Sequence, residues 1–353
     1  MNCIFIIQGE GRGHATQAIS LKPILESIGI NVINAYISTN HQQRNHDWVF
    51  KELNLPPNYY YSPNFVYKNN EVNIPLTILK TIKNLGNIKN SIKVMKNTIS
   101  TQKVDVIINF YEPLTPFISN NIPVVSIGHQ FLIDHPDYPS PSHLKYKKLA
   151  ISLFNKLVSH KSKEIIALSY YNTYNPPNTN ITIAPPLLRP SILNAKPTII
   201  PNKVAVYLVN ANMVDNLLKQ IQPYTNHHFV IYNEKYSYST HNATLKLISP
   251  DFTQDLLESQ YIICSGGFET TCEAMYHNKN ILMIPVTNHT EQILNAIDAH
   301  NNGIAHTNNN YNVNTLLTQD KPKNTTKNRK FFDNYYTNFY INFFNNLKNR
   351  LLT

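Results

Sequence analysis

Residues 261–276 read Tyr-Ile-Ile-Cys-Ser-Gly-Gly-Phe-Glu-Thr-Thr-Cys-Glu-Ala-Met-Tyr, and this stretch decides the fold. It opens with an apolar run typical of a buried strand, turns at two glycines and continues as a helix near Phe268. Glycine lets the backbone approach an anion closely, and the amides and dipole of the next helix favour phosphate. The stretch therefore predicts a diphosphate site, to which Thr270 and Thr271 add hydroxyls. Glu273, one turn further in, is placed to accept the two hydroxyls of a ribose.

The same alternation of short apolar strands with amphipathic helices runs through both halves of the chain. Five prolines between residues 185 and 201 interrupt it, and neither a helix nor a strand runs easily through that density of proline. We therefore predict an α/β protein with two Rossmann-like, doubly wound domains facing a central cleft. Strands are predicted at residues 3–7, 31–37, 104–110, 122–127 and 164–168, and again at 203–209, 228–232, 244–248, 261–264 and 280–284.

The tail from residue 329 onward predicts one helix, because aromatic and apolar residues recur there at steps of three and four. Such a stripe indicates packing, and we expect the helix to lie across both domains. The predicted parts are an N-terminal Rossmann-like domain at 1–184, a linker at 185–202, a C-terminal nucleotide-binding Rossmann-like domain at 203–328 and the helix at 329–353. The stripe consists of Phe332, Tyr335, Tyr336, Phe339, Tyr340, Phe343, Phe344 and Leu347.

A second polar group follows the predicted strand at 280–284. Glu291 and Gln292 open another helix there, and Asn295 follows three residues later. An acid and an amide side by side at the carboxyl end of a parallel strand suit the hydroxyls of a sugar.

At this point the sequence resembles the GT-B glycosyltransferases, both the UDP-glycosyltransferases and the lipid-linked N-acetylglucosaminyltransferases of peptidoglycan synthesis. Their signature has a glycine turn, Ser or Thr, a Glu, a Pro after a strand, then an acid with Gln and an Asn. The resemblance implies a UDP-sugar donor, with diphosphate at the glycine turn, ribose at Glu273 and sugar at Glu291 and Gln292. The predicted donor residues are Gly11, Arg12, Gly13, Ser265, Gly266, Gly267, Phe268, Thr270, Thr271, Glu273, Glu291, Gln292 and Asn295.

A glycine-rich loop, Gln-Gly-Glu-Gly-Arg-Gly-His at residues 8–14, follows the first strand. His14 stands where a dinucleotide fingerprint needs its third glycine, and the next strand ends in Ser38 and Thr39 rather than an acid. NAD binding is therefore disfavoured, and the chain has no P-loop motif. The loop matches the Gly-His turn of GT-B enzymes, and this match implies an active-site His14. Three roles stay open for it: general base, with Arg12 lowering its pKa, hydrogen-bond donor to the reacting groups, or a structural cap.

A further polar cluster follows the strand at 122–127, again at the carboxyl edge of the predicted sheet. The peptidoglycan enzymes carry His-Glu-Gln near this place, which supports an acceptor-side role here. We predict His129 as a catalytic residue and Gln130, Asp134 and His135 on the acceptor side. Glu112, after the strand at 104–110, is a further catalytic candidate that could orient a base.

Charge is unevenly distributed along the chain. Up to Thr198 there are 19 Lys and Arg against 10 Asp and Glu, and after it 12 against 11. Residues 74–103 and 138–163 each carry six lysines and no acid, interleaved with apolar residues at helical spacing. Such helices suit an anionic membrane surface, although a solvated lysine face explains them equally well. Nucleic acid is disfavoured because no nucleic-acid-binding signature accompanies the charge.

The three cysteines form no metal or disulfide pattern, and no signal peptide or membrane-length apolar run is apparent. These features predict a cytoplasmic protein, soluble or peripheral at the inner face of the membrane, with no metal ion and no cofactor beyond the UDP-sugar co-substrate. The favoured activity is metal-independent transfer of a sugar to an acceptor hydroxyl, with a lipid acceptor one option. The resemblance implies that the donor is a UDP-sugar and that the anomeric carbon is inverted. The alternatives are a sugar-nucleotide 2-epimerase on the same fold and a non-catalytic basic adaptor for membrane or nucleic acid.

Overall fold

The structure is a computed structural model that describes residues 1–39, 46–68, 71–171, 174, 181–208, 210–318 and 328–352. It divides into two compact units, one formed by Met1–Arg189 with Asn334–Thr353 and the other by Pro190–Asp333.

The first unit is built on a parallel sheet of seven strands in the order β3-β2-β1-β6-β7-β8-β9. Its central strands are buried at every position, as expected for a parallel sheet covered on both faces. A separate antiparallel pair is formed by β4 and β5. The strands of this unit are β1 (Asn2–Ile7), β2 (Asn31–Thr39), β3 (Tyr59–Tyr61), β4 (Tyr67–Lys68), β5 (Glu71–Val72), β6 (Val106–Phe110), β7 (Val124–Gly128), β8 (Ser162–Leu168) and β9 (Ile181–Ala184).

The helices of the first unit connect these strands. Two short 3-10 segments, His129–Asp134 and Ser142–Leu144, follow β7. The α-helices are α1 (Gly13–Ser27), α2 (Asp47–Leu53), α3 (Ile74–Lys83), α4 (Leu85–Thr101), α5 (Thr115–Ile118) and α6 (Lys145–Val158).

The second unit repeats the plan, with strand order β12-β13-β11-β10-β14-β15-β16 and one antiparallel pair, β12 with β13. The strands are β10 (Ile200–Tyr207), β11 (His228–Asn233), β12 (Tyr238–Ser239), β13 (Ala243–Leu247), β14 (Ser259–Cys264), β15 (Asn280–Met283) and β16 (His306–Thr307). The helices are α7 (Pro190–Leu193), α8 (Ala211–Ile221), α9 (Phe252–Glu258), α10 (Phe268–Tyr276), α11 (Thr290–Asn301) and α12 (Asn314–Thr318).

The carboxyl-terminal helix, α13 (Asn328–Leu352), contacts the first unit. The hydroxyls of Tyr336 and Tyr340 donate to the carbonyls of Leu188 and Pro185. Arg350 pairs with Glu164 at 2.8 Å. The aromatic stripe thus serves packing, as its spacing predicted. The side chains of Phe332 and Tyr335 and the predicted strand end Val209 lie outside the described residues.

Each sheet reverses its strand order beside its first strand, between β1 and β6 in the first unit and between β10 and β14 in the second. In doubly wound sheets, ligands bind at the carboxyl ends of the strands that flank such a reversal. The predicted α/β architecture with two doubly wound sheets is confirmed. The predicted strands agree with the observed ones to within about three residues, and the structure adds β3, β4, β5, β9, β12 and β16.

Candidate functional site

The glycine turn of the second unit lies at the strand reversal, directly after β14. Gly266 has φ of +89°, a conformation that L side chains rarely adopt. A Cβ atom there would lie 2.8 Å from the carbonyl oxygen of Gln292 on α11. The turn is therefore held against α11, and only glycine fits at this position.

Gly267, the next residue, has ordinary extended backbone angles and open space on its outer side. It precedes the first residue of α10 and, having no side chain, supplies no cap to that helix. No heavy atom lies within 4 Å of a Cβ placed on it. First-turn amides point out of a helix N-terminus, so an anion can reach the turn on this side.

Three predicted donor residues are enclosed in this turn rather than exposed on it. Thr271 is fully buried and its hydroxyl donates to the Gly267 carbonyl at 2.8 Å. Asn295 is 1% exposed and its amide donates to the Gly266 carbonyl at 3.2 Å. Ser265 is 3% exposed and donates to the Tyr207 carbonyl. The prediction that Thr271 offers its hydroxyl to a diphosphate is therefore corrected, because that hydroxyl is used within the turn.

The remaining predicted donor residues surround the turn. Thr270, Glu291 and Gln292 are half-buried, whereas Phe268 and Glu273 are almost fully buried. The side-chain oxygen of Gln292 accepts from the amide of Val286 at 3.0 Å, so Gln292 also fixes the segment after β15. His289, which no sequence pattern indicated, caps α11. Its ring nitrogen Nδ1 accepts a hydrogen bond from the backbone N–H of Gln292. Burial lowers the pKa of His289, and the neutral ring is the form that accepts a hydrogen bond.

The glycine loop of the first unit follows β1 at the other strand reversal. A Cβ on Gly9 would lie 2.0 Å from the Ser38 carbonyl oxygen, so this glycine permits close contact with β2. Gly11, in contrast, has no atom within 4 Å of such a Cβ. Gly13 begins α1, and the Arg12 guanidinium lies 4.8 Å above the ring of Trp48.

His14 lies in the first turn of α1 with only 7% of its surface exposed. Its Nδ1 is 3.4 Å from the amide oxygen of Gln17, and its Nε2 is 3.4 Å from the amide nitrogen of Gln130. These partners place the proton on Nδ1 and the lone pair on Nε2. Burial lowers the pKa of His14 to about 4, so the ring is neutral near pH 7. A lowered pKa of His14 agrees with the expectation, but its cause is burial of the ring rather than the charge of Arg12.

Tyr111 and Asn155, which no sequence pattern indicated, hold the surroundings of the His14 ring in place. The Tyr111 ring stacks on the His14 ring, with centroids 5.4 Å apart. Its backbone has φ of +61°, an unusual value for a residue other than glycine and a frequent feature of functional sites. Asn155 on α6 accepts from the Tyr111 hydroxyl and donates to the Gln130 carbonyl and to Asp134. The side-chain amide of Asn155 thus holds both Tyr111 and Gln130, which contact the His14 ring.

Glu112 makes its hydrogen bonds away from His14. It is fully buried, and one carboxylate oxygen accepts from the Ser62 hydroxyl and from the Leu114 amide. Burial raises its pKa to about 7. The expectation that Glu112 orients a histidine base is corrected, since Gln17 and Gln130 are the residues at the His14 ring.

His129 is also enclosed by the protein. It is 1% exposed, its Nδ1 donates to the Leu168 carbonyl at 2.7 Å, and its Nε2 lies 3.4 Å from the Tyr138 hydroxyl. The ring therefore ties the 3-10 segment His129–Asp134 to β8. Both ring nitrogens have protein partners, and the catalytic role of His129 stays a prediction.

The three acceptor-side candidates have different surroundings. Gln130 reaches His14, as described above. Asp134 accepts from Asn155 at 2.9 Å, and His135 is 6% exposed, with Nδ1 accepting from the Asp137 amide. The structure therefore brings Gln130 and Asp134 into the His14 network, and it places His135 in a turn against the ring of Tyr174.

Within the described ranges, no three His, Cys, Asp or Glu side chains come together to hold a metal ion. The three cysteines are free and buried. No helix among the described residues is long and apolar enough to cross a bilayer.

Solved structures of low sequence identity share this fold. The UGT2 enzyme of Phytolacca americana, solved with UDP-2-fluoro-glucose and pterostilbene, matches with a TM-score of 0.64 and 11% identity over 100% of both chains. VinC, a glycosyltransferase solved with dTDP, matches with 0.60 and 13% identity over 95% of this chain and 96% of its own. Acinetobacter baumannii MurG matches with 0.53 and 15% identity over 93% and 94%. No curated protein sequence matches the chain significantly.

The family comparison gives the firmer assignment. The model of glycosyl transferase family 1 matches residues 1–319, which include both glycine turns and both sheets. The expected enzyme class and fold are thereby confirmed, and the match argues against the non-catalytic adaptor. The chain belongs to glycosyl transferase family 1 and is a glycosyltransferase with the GT-B fold.

Proposed function

We propose that this enzyme transfers a sugar from a UDP-sugar to an acceptor hydroxyl, with inversion at the anomeric carbon and without a metal ion. The observation that carries the proposal is the turn at Gly266 and Gly267. Gly266 is held in a conformation reserved for glycine, and Gly267 leaves the N-terminus of α10 open. Helix-terminal amides stabilise the charge that develops on a leaving diphosphate. Two of the solved neighbours hold UDP-2-fluoro-glucose and dTDP, which supports a nucleotide donor.

In the proposed mechanism, neutral His14 is the general base. The acceptor hydroxyl gives its proton to Nε2 as its oxygen forms a bond to the anomeric carbon. The bond from that carbon to the diphosphate oxygen breaks, and UDP leaves with the electron pair. A single displacement of this kind inverts the anomeric configuration. Gln17 holds the tautomer with the lone pair on Nε2, and Tyr111 holds the ring plane. The acceptor hydroxyl is proposed to replace the 3.4 Å contact that Gln130 makes to Nε2.

On the donor side, Glu273 is proposed to accept the ribose hydroxyls. It lies on α10 two residues after Thr271, whose buried hydroxyl closes the turn. Glu291 and Gln292 at the start of α11 are proposed to hold the sugar, because α11 packs against the same turn through Gln292. The acceptor is proposed to be lipid-linked. We also propose a cytoplasmic, peripheral location at the inner face of the membrane, consistent with the three free cysteines.

Release of UDP from a UDP-sugar, measured with and without acceptor hydroxyls, tests the activity. Glu273→Gln should raise the donor KM by about tenfold or more, because it replaces a charged hydrogen-bond acceptor by a neutral one. The matched control, Glu234→Gln, changes an exposed carboxylate of the same unit and should leave the KM unchanged. An unchanged KM in Glu273→Gln would contradict the ribose role. Epimerised sugar without acceptor-dependent UDP release would favour the 2-epimerase instead.

His14→Asn tests the base. Loss of a positioned general base lowers kcat by about 10²- to 10⁴-fold. Donor-induced thermal stabilisation should persist in this variant, since His14 belongs to the first unit and the donor turn to the second. A variant that retains full kcat would exclude His14 as the base.

A further inference from the structure

Helix α3 leaves its apolar side chains exposed. None of its ten residues is buried, and Ile74, Ile78 and Ile82 are 52%, 54% and 57% exposed. These three residues recur every fourth position and so form one stripe along the helix. Leu79 on the same helix is 48% exposed. A water-soluble helix normally buries such a stripe against its own core.

The polar side of α3 is the side that contacts the protein. The Thr77 hydroxyl oxygen accepts from the Val66 amide at 2.9 Å, and Thr77 and Thr81 are both less exposed than the isoleucines. The amphipathic pattern is therefore reversed relative to an ordinary surface helix. Because exposed aliphatic area is unfavourable in water, the outer stripe has the character of an interaction surface.

Helix α6 also leaves a row of apolar side chains exposed. Its buried positions are Asn155 and Val158, whereas Tyr146, Leu149 and Leu153 are 87%, 55% and 58% exposed. Leu157 continues the exposed row at 44%. The inward Asn155 belongs to the hydrogen-bond network around His14, and the outward row consists of large apolar side chains.

One short segment joins the two helices. The Phe65 ring packs on Phe154 of α6 at 4.8 Å between centroids, and the neighbouring Val66 amide binds Thr77 of α3. The exposed rows of α3 and α6 thus lie on two helices that both contact residues 65 and 66. We call α3 and α6 together the apolar face.

Exposed lysines accompany the apolar face, and the chain segments that carry them contain no acidic residue. Lys83, Lys145 and Lys156 are exposed, and neither 74–103 nor 138–163 contains Asp or Glu. Each basic residue near an anionic bilayer adds to its attraction. A second copy of the chain is a poor occupant, because a two-fold interface would bring the same lysines together.

We infer that the apolar face docks in the plane of an anionic lipid bilayer, with its aliphatic rows in the interfacial layer and its lysines at the phosphate level. The inference deepens the proposed function and rests on it for the lipid-linked acceptor. Phe65 donates its amide to Glu10 in the glycine loop, and Phe154 packs on Tyr111, which stacks on His14. Docking would therefore hold the proposed base close to the lipid surface where such an acceptor resides.

The test is sedimentation of the full chain with vesicles of phosphatidylcholine alone and of equal parts phosphatidylcholine and phosphatidylglycerol. The variant Ile78→Asn with Ile82→Asn removes two members of the stripe. The control, Ile199→Asn with Leu247→Asn, removes aliphatics of the second unit that are 44% and 52% exposed. The wild type and the control should bind the anionic vesicles, and binding should weaken as salt rises. The stripe variant should bind about tenfold or more weakly, since aliphatic burial supplies the affinity.

Equal binding by the stripe variant and the control would overturn the inference, as would equal binding of the wild type to both vesicle types. A dimer without vesicles that the stripe variant dissociates would assign the face to a second copy instead. UDP-induced stabilisation, measured on the same samples, reports the donor site separately. Its loss with vesicle binding intact would refute the proposed donor and leave the membrane face standing, whereas the reverse result would refute the membrane face alone.

Discussion

Replacing the two adjacent glycines of the donor turn separates folding from ligand binding. In Gly266→Ala, the alanine must adopt the φ of +89° that glycine has here. Its methyl carbon would lie 2.8 Å from the carbonyl oxygen of Gln292. A residue other than glycine held in an unfavourable backbone region costs about 1–3 kcal/mol, and the close contact adds to this. Each kcal/mol lowers the Tm of a unit of this size by about 2–4 °C.

Gly267→Ala should behave differently. Its φ and ψ of −70° and 133° suit any residue, and its Cβ meets no protein atom within 4 Å. Stability should change by less than about 0.5 kcal/mol. The methyl group does, however, project into the space proposed for the diphosphate, so UDP affinity should fall by about tenfold or more.

Calorimetric titration of UDP and thermal unfolding of the three proteins check both expectations. The expected pattern is a large loss of stability in Gly266→Ala and a selective loss of UDP affinity in Gly267→Ala. Unchanged UDP affinity in Gly267→Ala would refute the placement of the diphosphate at this turn. Unchanged stability in Gly266→Ala would refute the strain argument.

Three further predictions concern the first unit. The acid limb of the kcat/KM profile should fall near pH 4 rather than pH 6.5, because burial lowers the pKa of His14 and the neutral ring is the base; a limb near 6.5 would exclude that role. The pKa of Glu112 is raised from 4.5 to about 7, so its contribution to stability should decrease as pH rises through that interval; urea unfolding of Glu112→Gln should show a flatter pH dependence than the wild type, and an identical slope would contradict it. Asn155→Leu should lower kcat by about tenfold with UDP affinity retained, because Tyr111 and Gln130 lose their shared partner; an unaltered kcat in a folded variant would disprove the positioning role.

Local sequence patterns predicted most of the architecture. Apolar runs such as residues 3–7 are continuous because both faces of the sheet are covered, and this signal can be read without any knowledge of the neighbouring strands. The short edge strands escaped detection. Strands β12 and β16 have two residues each, too few to show a period.

The candidate site was only partly predictable, because spacing places a residue at a sheet edge but does not fix its environment. His129 and Glu112 follow buried strands as predicted, yet the fold encloses them with Leu168 and Ser62. Tyr111 stands next to Glu112 in the chain and gave no signal of its own. Its role depends on a positive φ and on Asn155, which lies 44 residues away.

The sequence by itself determined the strand, turn and helix at residues 259–276 and the glycine loop before His14, because glycine, strand and cap preferences act over a few neighbouring residues. Only the tertiary structure decided which side chains near those turns are enclosed and which remain open. It also decided that α3 turns its polar side inward and that both α3 and α6 leave apolar rows exposed. Burial and hydrogen-bond partners are set by contacts between residues distant in the chain, and so no local pattern specifies them.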